Sequence, residues 1–109
     1  MNSTETPVKT NSATVCEEAE SLVGTIRRQE YGPAHVNFAK IRDFWNVILR
    51  DHMKPEMELT MEEVSMMMVC LKIARWCEDH DKRDNIVDAI GYLRLIEILR
   101  DELKQEPLR

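Results

Sequence analysis

The 109 residues include 43% hydrophobic and 32% charged side chains with only three Gly and four Pro, which excludes collagen-like, low-complexity and wholly disordered chains and leaves one domain with one core. Twenty Asp and Glu against fifteen Lys and Arg give a formal net charge of -5, which excludes the broad basic surface that a long nucleic acid requires. Residues 1–13 form a polar Ser, Thr and Asn tail with no apolar run for a signal peptide or membrane span, so a soluble, cytoplasmic chain is expected.

The first helix is expected over about 14–30. Thr14 and Glu17 have capping-box spacing, and Val15, Ala19, Leu22, Val23 and Ile26 recur on one face. Cys16, in the same stretch, joins Cys70 and Cys77 as reduced thiols, because the three spacings match no disulfide or zinc framework. The apolar pattern stops at Arg27-Arg28-Gln29-Glu30, and Tyr31-Gly32-Pro33 makes a turn, since Pro lacks an amide donor and restricts the residue before it.

A second helix is expected over 34–51, with Phe38, Ile41, Phe44, Trp45, Ile48 and Leu49 facing inward. Pro55 and alternating charges make 52–59 a loop. Thr60 opens the third helix, over 60–79, with Glu63 at the reciprocal capping position and Leu59 and Val64 spaced as a hydrophobic staple. From Val64 to Cys77 that helix is apolar nearly all round, as only a helix packed on several sides should be; Met66, Met67 and Met68 read as filler of core and interface. A turn of Asp79, His80, Asp81, Lys82 and Arg83 leads to a fourth helix over 84–105, again apolar on most of its circumference. The expected fold is an all-α four-helix bundle with short connections. Its apolar surface exceeds what one small core needs, so completion by a second copy of the chain is expected.

The polar residues within this hairpin define the candidate site. An antiparallel pair joined by a short turn should bring Asp79 near Asp84, Arg75 near Asp88 and Lys72 near Gly91, whose missing side chain would open space. Lys72, Arg75, Asp84 and Asp88 can neutralise one another as an ion-pair ladder that fixes register. The same group can line a pocket. Carboxylates one turn apart suit Mg²⁺, while Lys72 and Arg75 would meet phosphate oxygens. Asn37, Tyr31 and Tyr92 could close over such a ligand, or serve as cap and turn residues. Glu62 and Glu63 read as structural, and His35, His52 and His80 as surface residues. Trp45 and Trp76 read as core residues, with pocket capping as the other reading.

The stretches Tyr31-Gly32-Pro33, Asn37-Phe38, Trp45, Met67-Met68, Leu71-Lys72-Ile73-Ala74-Arg75 and Asp84-Asn85 through Asp88 to Gly91-Tyr92 resemble a family of small uncharacterised phage and prophage domains, over about residues 27–99. That family is similar to the MazG-like all-α nucleoside triphosphate pyrophosphohydrolases. The resemblance implies a helical bundle that assembles as a dimer or tetramer and a Mg²⁺-dependent cleavage of nucleoside triphosphate to monophosphate and pyrophosphate. It also implies that Asp84 and Asp88 are the catalytic, metal-holding carboxylates. Where MazG-like enzymes carry a first acidic pair, this chain has Lys72 and Arg75, an exchange that removes metal ligands and keeps a phosphate site.

The function expected is therefore binding of a nucleotide or related phosphate ligand by Lys72, Arg75, Asn37 and Tyr92, and whether Asp84 and Asp88 then hydrolyse it with Mg²⁺ is left open by these residues. The alternatives are a sequestering protein without turnover, and a helical module that binds a host protein through its apolar faces.

Overall fold

The computed structural model describes residues 13–105, and every regular element among them is helical. The polar tail expected over 1–13 lies, apart from Ala13, outside the described residues. Helix α1 spans Val15–Ser21, a π turn spans Leu22–Ile26, and α2 spans Arg27–Tyr31, so the three form one continuous helical segment. Helix α3 spans Ala34–Leu49 and ends in a 3-10 turn at Arg50–His52, while α4 spans Met61–Glu78 and α5 spans Arg83–Gln105.

Two helix starts follow the local chemistry read from the sequence. At α1 the Glu17 amide donates to Thr14 Oγ1 at 3.1 Å and the Thr14 amide to Glu17 Oε1 at 2.8 Å. At α4 the Glu63 amide donates to Thr60 Oγ1 at 3.1 Å, and the Thr60 amide to Glu63 Oε1 at 2.9 Å. Each box satisfies first-turn amides that have no partner within the helix.

The first segment departs from the uninterrupted helix expected there. In the π turn the Arg27 amide donates to the Leu22 carbonyl, five residues back. One inserted residue rotates all that follows by about 100°. The expected stripe nonetheless stays on the inner side: Ala19 is buried, Val15, Leu22, Val23 and Ile26 are half-buried, and Ala19, Leu22 and Val23 together face α5.

Helix α3 starts in a way the local sequence does not announce. Gly32 turns the chain at φ 80°, in the left-handed region that glycine tolerates, and Pro33 supplies no side-chain cap. The cap comes from α5. The Glu102 carboxylate accepts the Ala34 amide at 3.2 Å and the His35 amide at 2.7 Å. It also meets His35 Nδ1 at 2.9 Å and Arg28 Nη1 at 3.0 Å. One side chain thus ties α2 and α3 to the end of α5. His35, expected at the surface, is half-buried against it.

Helices α4 and α5 form an antiparallel hairpin whose register is set by polar contacts. The buried Ser65 hydroxyl donates to the Tyr92 carbonyl at 2.7 Å, and Lys72 Nζ meets Asp88 Oδ2 at 3.0 Å. Arg100 grips Glu62 through two bonds of 2.7 and 2.8 Å. The core lies above this hairpin, where Phe38 of α3 meets Val64, Leu95 and Leu99. Beside this core the π turn approaches α5 so closely that a Cβ on Gly91 would stand 3.1 Å from Val23 Cγ1. The space expected beside Gly91 is therefore filled by Val23, and the glycine serves close helix contact. In the loop before α4, Asn46 Oδ1 accepts the Leu59 amide at 2.8 Å and its Nδ2 donates to the Leu59 carbonyl at 3.4 Å.

Candidate ligand-binding cleft

The α1–α2 segment and α3 diverge above the hairpin, and the gap between them is a cleft of about 570 Å³, open to solvent. That volume lies in the range of small-molecule sites, roughly 300–1,000 Å³. Tyr31, Phe38, Trp45 and Tyr92 give it aromatic surface, and Val23, Ile41, Met68, Leu95 and Ile98 complete the apolar lining. Asn37 adds an amide able to donate and accept.

Three arginines line the same cleft: Arg27 and Arg28 from α2, and Arg94 from α5. Their states differ. Arg94 Nε is held by Glu20 at 2.8 Å and its Nη1 by Glu97 at 2.8 Å, and the Glu20 bond above all raises the guanidinium further above its ordinary pKa. Arg28 is held by Glu102. Arg27 is exposed and joins no ion pair among the described residues. An arginine without a carboxylate partner is the group most ready to take an incoming anion, and its fork suits two oxygens of a phosphate. Glu102 itself is shifted by opposing causes. Burial pushes its carboxyl up, but the backbone and ring hydrogen bonds from His35, with that from the Ala34 amide, together hold it below the ordinary carboxylate value.

Of the residues singled out in the sequence, Asn37 and Tyr92 line the cleft, as do Tyr31 and Trp45. Lys72, Arg75 and Asp84 do not, and Asp88 lines only a minor cavity of about 20 Å³ between α1 and α5. The expected pairing is shifted by about one helical turn. Lys72, not Arg75, reaches Asp88, with side chains 15% and 25% exposed, whereas Arg75 and Asp84 are exposed and join no ion pair among the described residues. The pair is still nearly equidistant from the turn, Lys72 six residues before the end of α4 and Asp88 five after the start of α5; the expected pairing counted from helix ends at 79 and 84, whereas α4 ends at Glu78 and α5 starts at Arg83. Trp76 lies away from the cleft and stacks on His80, with ring centroids 4.2 Å apart. Glu62 and Glu63 are engaged by Arg100 and by the Thr60 cap.

As placed, Asp84 and Asp88 do not fit a Mg²⁺ ion held by one chain. The Asp88 carboxylate already has an ammonium partner, and among the described residues no three His, Cys, Asp or Glu side chains converge as a ligand set. The cleft arginines went unremarked in the sequence because Arg27 and Arg28 stand where the apolar stripe ends and resemble a solvated helix terminus.

The fold defines an all-helical domain with an open cleft, and the chain belongs to the family described as a domain of unknown function (DUF6378), which it matches over residues 14–100. It is similar to the Gene 55 protein of Mycobacterium phage L5, with 37% identity over 79 residues, 72% of this chain and 47% of that protein. The chain therefore spans about half the length of the curated relative it matches. No solved structure matches it. No helix among the described residues is long and apolar enough to cross a membrane.

Proposed function

We propose that the cleft binds a nucleotide or a related phosphate ligand, in the cytoplasm of a phage-infected cell. The observation that carries this reading is the meeting of aromatic surface and arginines in one open cleft. A base can lie against Tyr31, Trp45 or Tyr92, where stacking contributes roughly 1–3 kcal/mol per base. Asn37 can address its edge. Arg27 takes the phosphate, and Arg28 and Arg94 can join it by exchanging a carboxylate for a phosphate oxygen.

Binding without turnover is the form these residues favour. The MazG-like hydrolase reading keeps Asp84 and Asp88 as carboxylates one turn apart, but it requires Lys72 to release Asp88 and further acidic groups to join them. Sequestration of a nucleotide needs neither. The reading as a host-protein-binding module has less support, because it leaves the cleft without a role.

The test is thermal stabilisation of the chain by nucleosides, nucleotides and inorganic phosphate, with and without Mg²⁺, beside pyrophosphate release. A nucleotide should raise the Tm where its nucleoside or free phosphate alone does less. Arg27→Ala should weaken that rise about tenfold in concentration, equivalent to one charged hydrogen bond of about 1.5 kcal/mol. Asp88→Asn should lower the starting Tm yet leave the nucleotide response intact. A response lost with Asp88→Asn and kept with Arg27→Ala would return the site to the hairpin cluster.

A further inference from the structure

Among the described residues, the hairpin is covered on one face only. Its upper face receives α1 and α3, while the register given by Ser65–Tyr92, Lys72–Asp88 and Glu62–Arg100 fixes which residues point the other way. On α4 these are Met66, Cys70 and Ile73, and on α5 Ile86 and Leu93; Ile73 is 52% exposed, Leu93 47% and Met66 45%. Equal offsets from the paired residues set Ile73 beside Ile86 and Met66 beside Leu93. The two stripes therefore make one apolar surface two helices wide, and the Glu62–Arg100 pair stands at its end.

We infer that this face is covered by the same face of a second copy of the chain, giving a two-fold dimer built on four hairpin helices. Three observations favour a second copy as the occupant. The molecule is only 18 Å across its thinnest direction against 49 and 40 Å in the others, two helix layers thick, so the hairpin is an inner layer that lacks its outer neighbour. Between Ile73–Ile86 and Met66–Leu93 the face carries no charge, because Lys72 turns inward to Asp88, and Glu97, one turn beyond Leu93, is held by Arg94; two chains of net charge -5 can meet over that stretch without opposing like charges. Its size also fits. Two adjacent helices of α4 length, about 27 Å by 20 Å in projection, present roughly 540 Å² before side-chain relief is counted, the same order as the roughly 800 Å² of accessible surface per partner that a stable interface buries.

A second exposed apolar patch, Phe44, Val47 and Ile48 on α3, is one helix wide and serves as the control. Sedimentation velocity of the full chain at micromolar concentration should give twice the mass of one chain. Ile73→Glu and Leu93→Glu, both at exposed positions, should each give a monomer with unchanged helical circular dichroism, while Phe44→Glu stays dimeric. A second readout needs no charged substitution: with Cys16 and Cys77 replaced by Ser, maleimide should label Cys70 several-fold faster on dilution as the dimer dissociates. A monomeric wild-type chain, a dimer that survives both hairpin substitutions, or a Cys70 rate independent of concentration would overturn the inference.

Discussion

Glu102 shows what one side chain does when elements far apart in sequence share it. Its carboxylate caps α3 from 67 and 68 residues away and pairs with Arg28 at the edge of the cleft. Removing an N-cap of this kind costs about 1–2 kcal/mol, and the severed Arg28 contact adds less because that side chain is solvated. Glu102→Gln should therefore lower unfolding free energy in urea by about that amount near neutral pH. Its acid dependence has a defined sign. Because the folded-state pKa is held below the ordinary value of 4.5, the stabilisation is complete above that value and is lost as pH falls through and below it. The wild-type chain should lose more stability than Glu102→Gln between neutral pH and about pH 3, measured by urea titrations at each pH. Equal losses would show that the carboxylate has no such part.

At the scale of elements, the approach of the π turn to α5 depends on Gly91. Alanine there would gain about 0.5–1 kcal/mol of helix propensity. Overpacking against Val23 at 3.1 Å costs about 1–3 kcal/mol, so the net effect of Gly91→Ala should be destabilising by about 1 kcal/mol. Gly91→Ala combined with Val23→Ala should be less destabilised than the sum of the two changes, as read from denaturant midpoints; strict additivity would mean that the two residues do not press on each other. The capping boxes at Thr14 and Thr60, the Gly32-Pro33 break and the four helical stretches were legible because each rests on residues within a few positions of one another. The π turn was not, since Leu-Val-Gly-Thr-Ile satisfies an ordinary helical stripe and the extra residue is decided by how α1 lies on α5. Hairpin pairing differed for another reason: counting outward from the turn depends on where each helix ends, and α4 ends at Glu78 and α5 starts at Arg83, each one residue earlier than the expected 79 and 84, which brings Lys72 and not Arg75 to Asp88.

Across the whole molecule, the candidate site was half visible in the sequence. Asn37, Tyr31 and Tyr92 read as groups able to close over a ligand or to serve as cap and turn residues, and Trp45 as a core residue with pocket capping as the other reading; the fold brings all four to one cleft. The charged residues that stood out, Lys72, Arg75, Asp84 and Asp88, form no common pocket, while the arginines that do line the cleft looked like a helix end. Charge is hard to place from sequence because a long side chain at a helix terminus can face solvent or a cavity with the same local pattern. The resulting arrangement separates two tasks. In the proposed dimer the lower face of the hairpin meets a second copy while the upper side holds the cleft, so the proposed assembly need not obstruct the proposed ligand.

The central claim is that a nucleotide occupies the cleft against its aromatic lining, and Trp45 reports on this directly. In the Trp76→Phe background Trp45 is the remaining indole, since the chain has two Trp. Titration with a nucleotide should change its fluorescence saturably, and Arg27→Ala should shift the midpoint about tenfold without altering the amplitude at saturation. Fluorescence that stays flat while the same nucleotide stabilises the chain in the melting assay would place the ligand elsewhere and contradict the account.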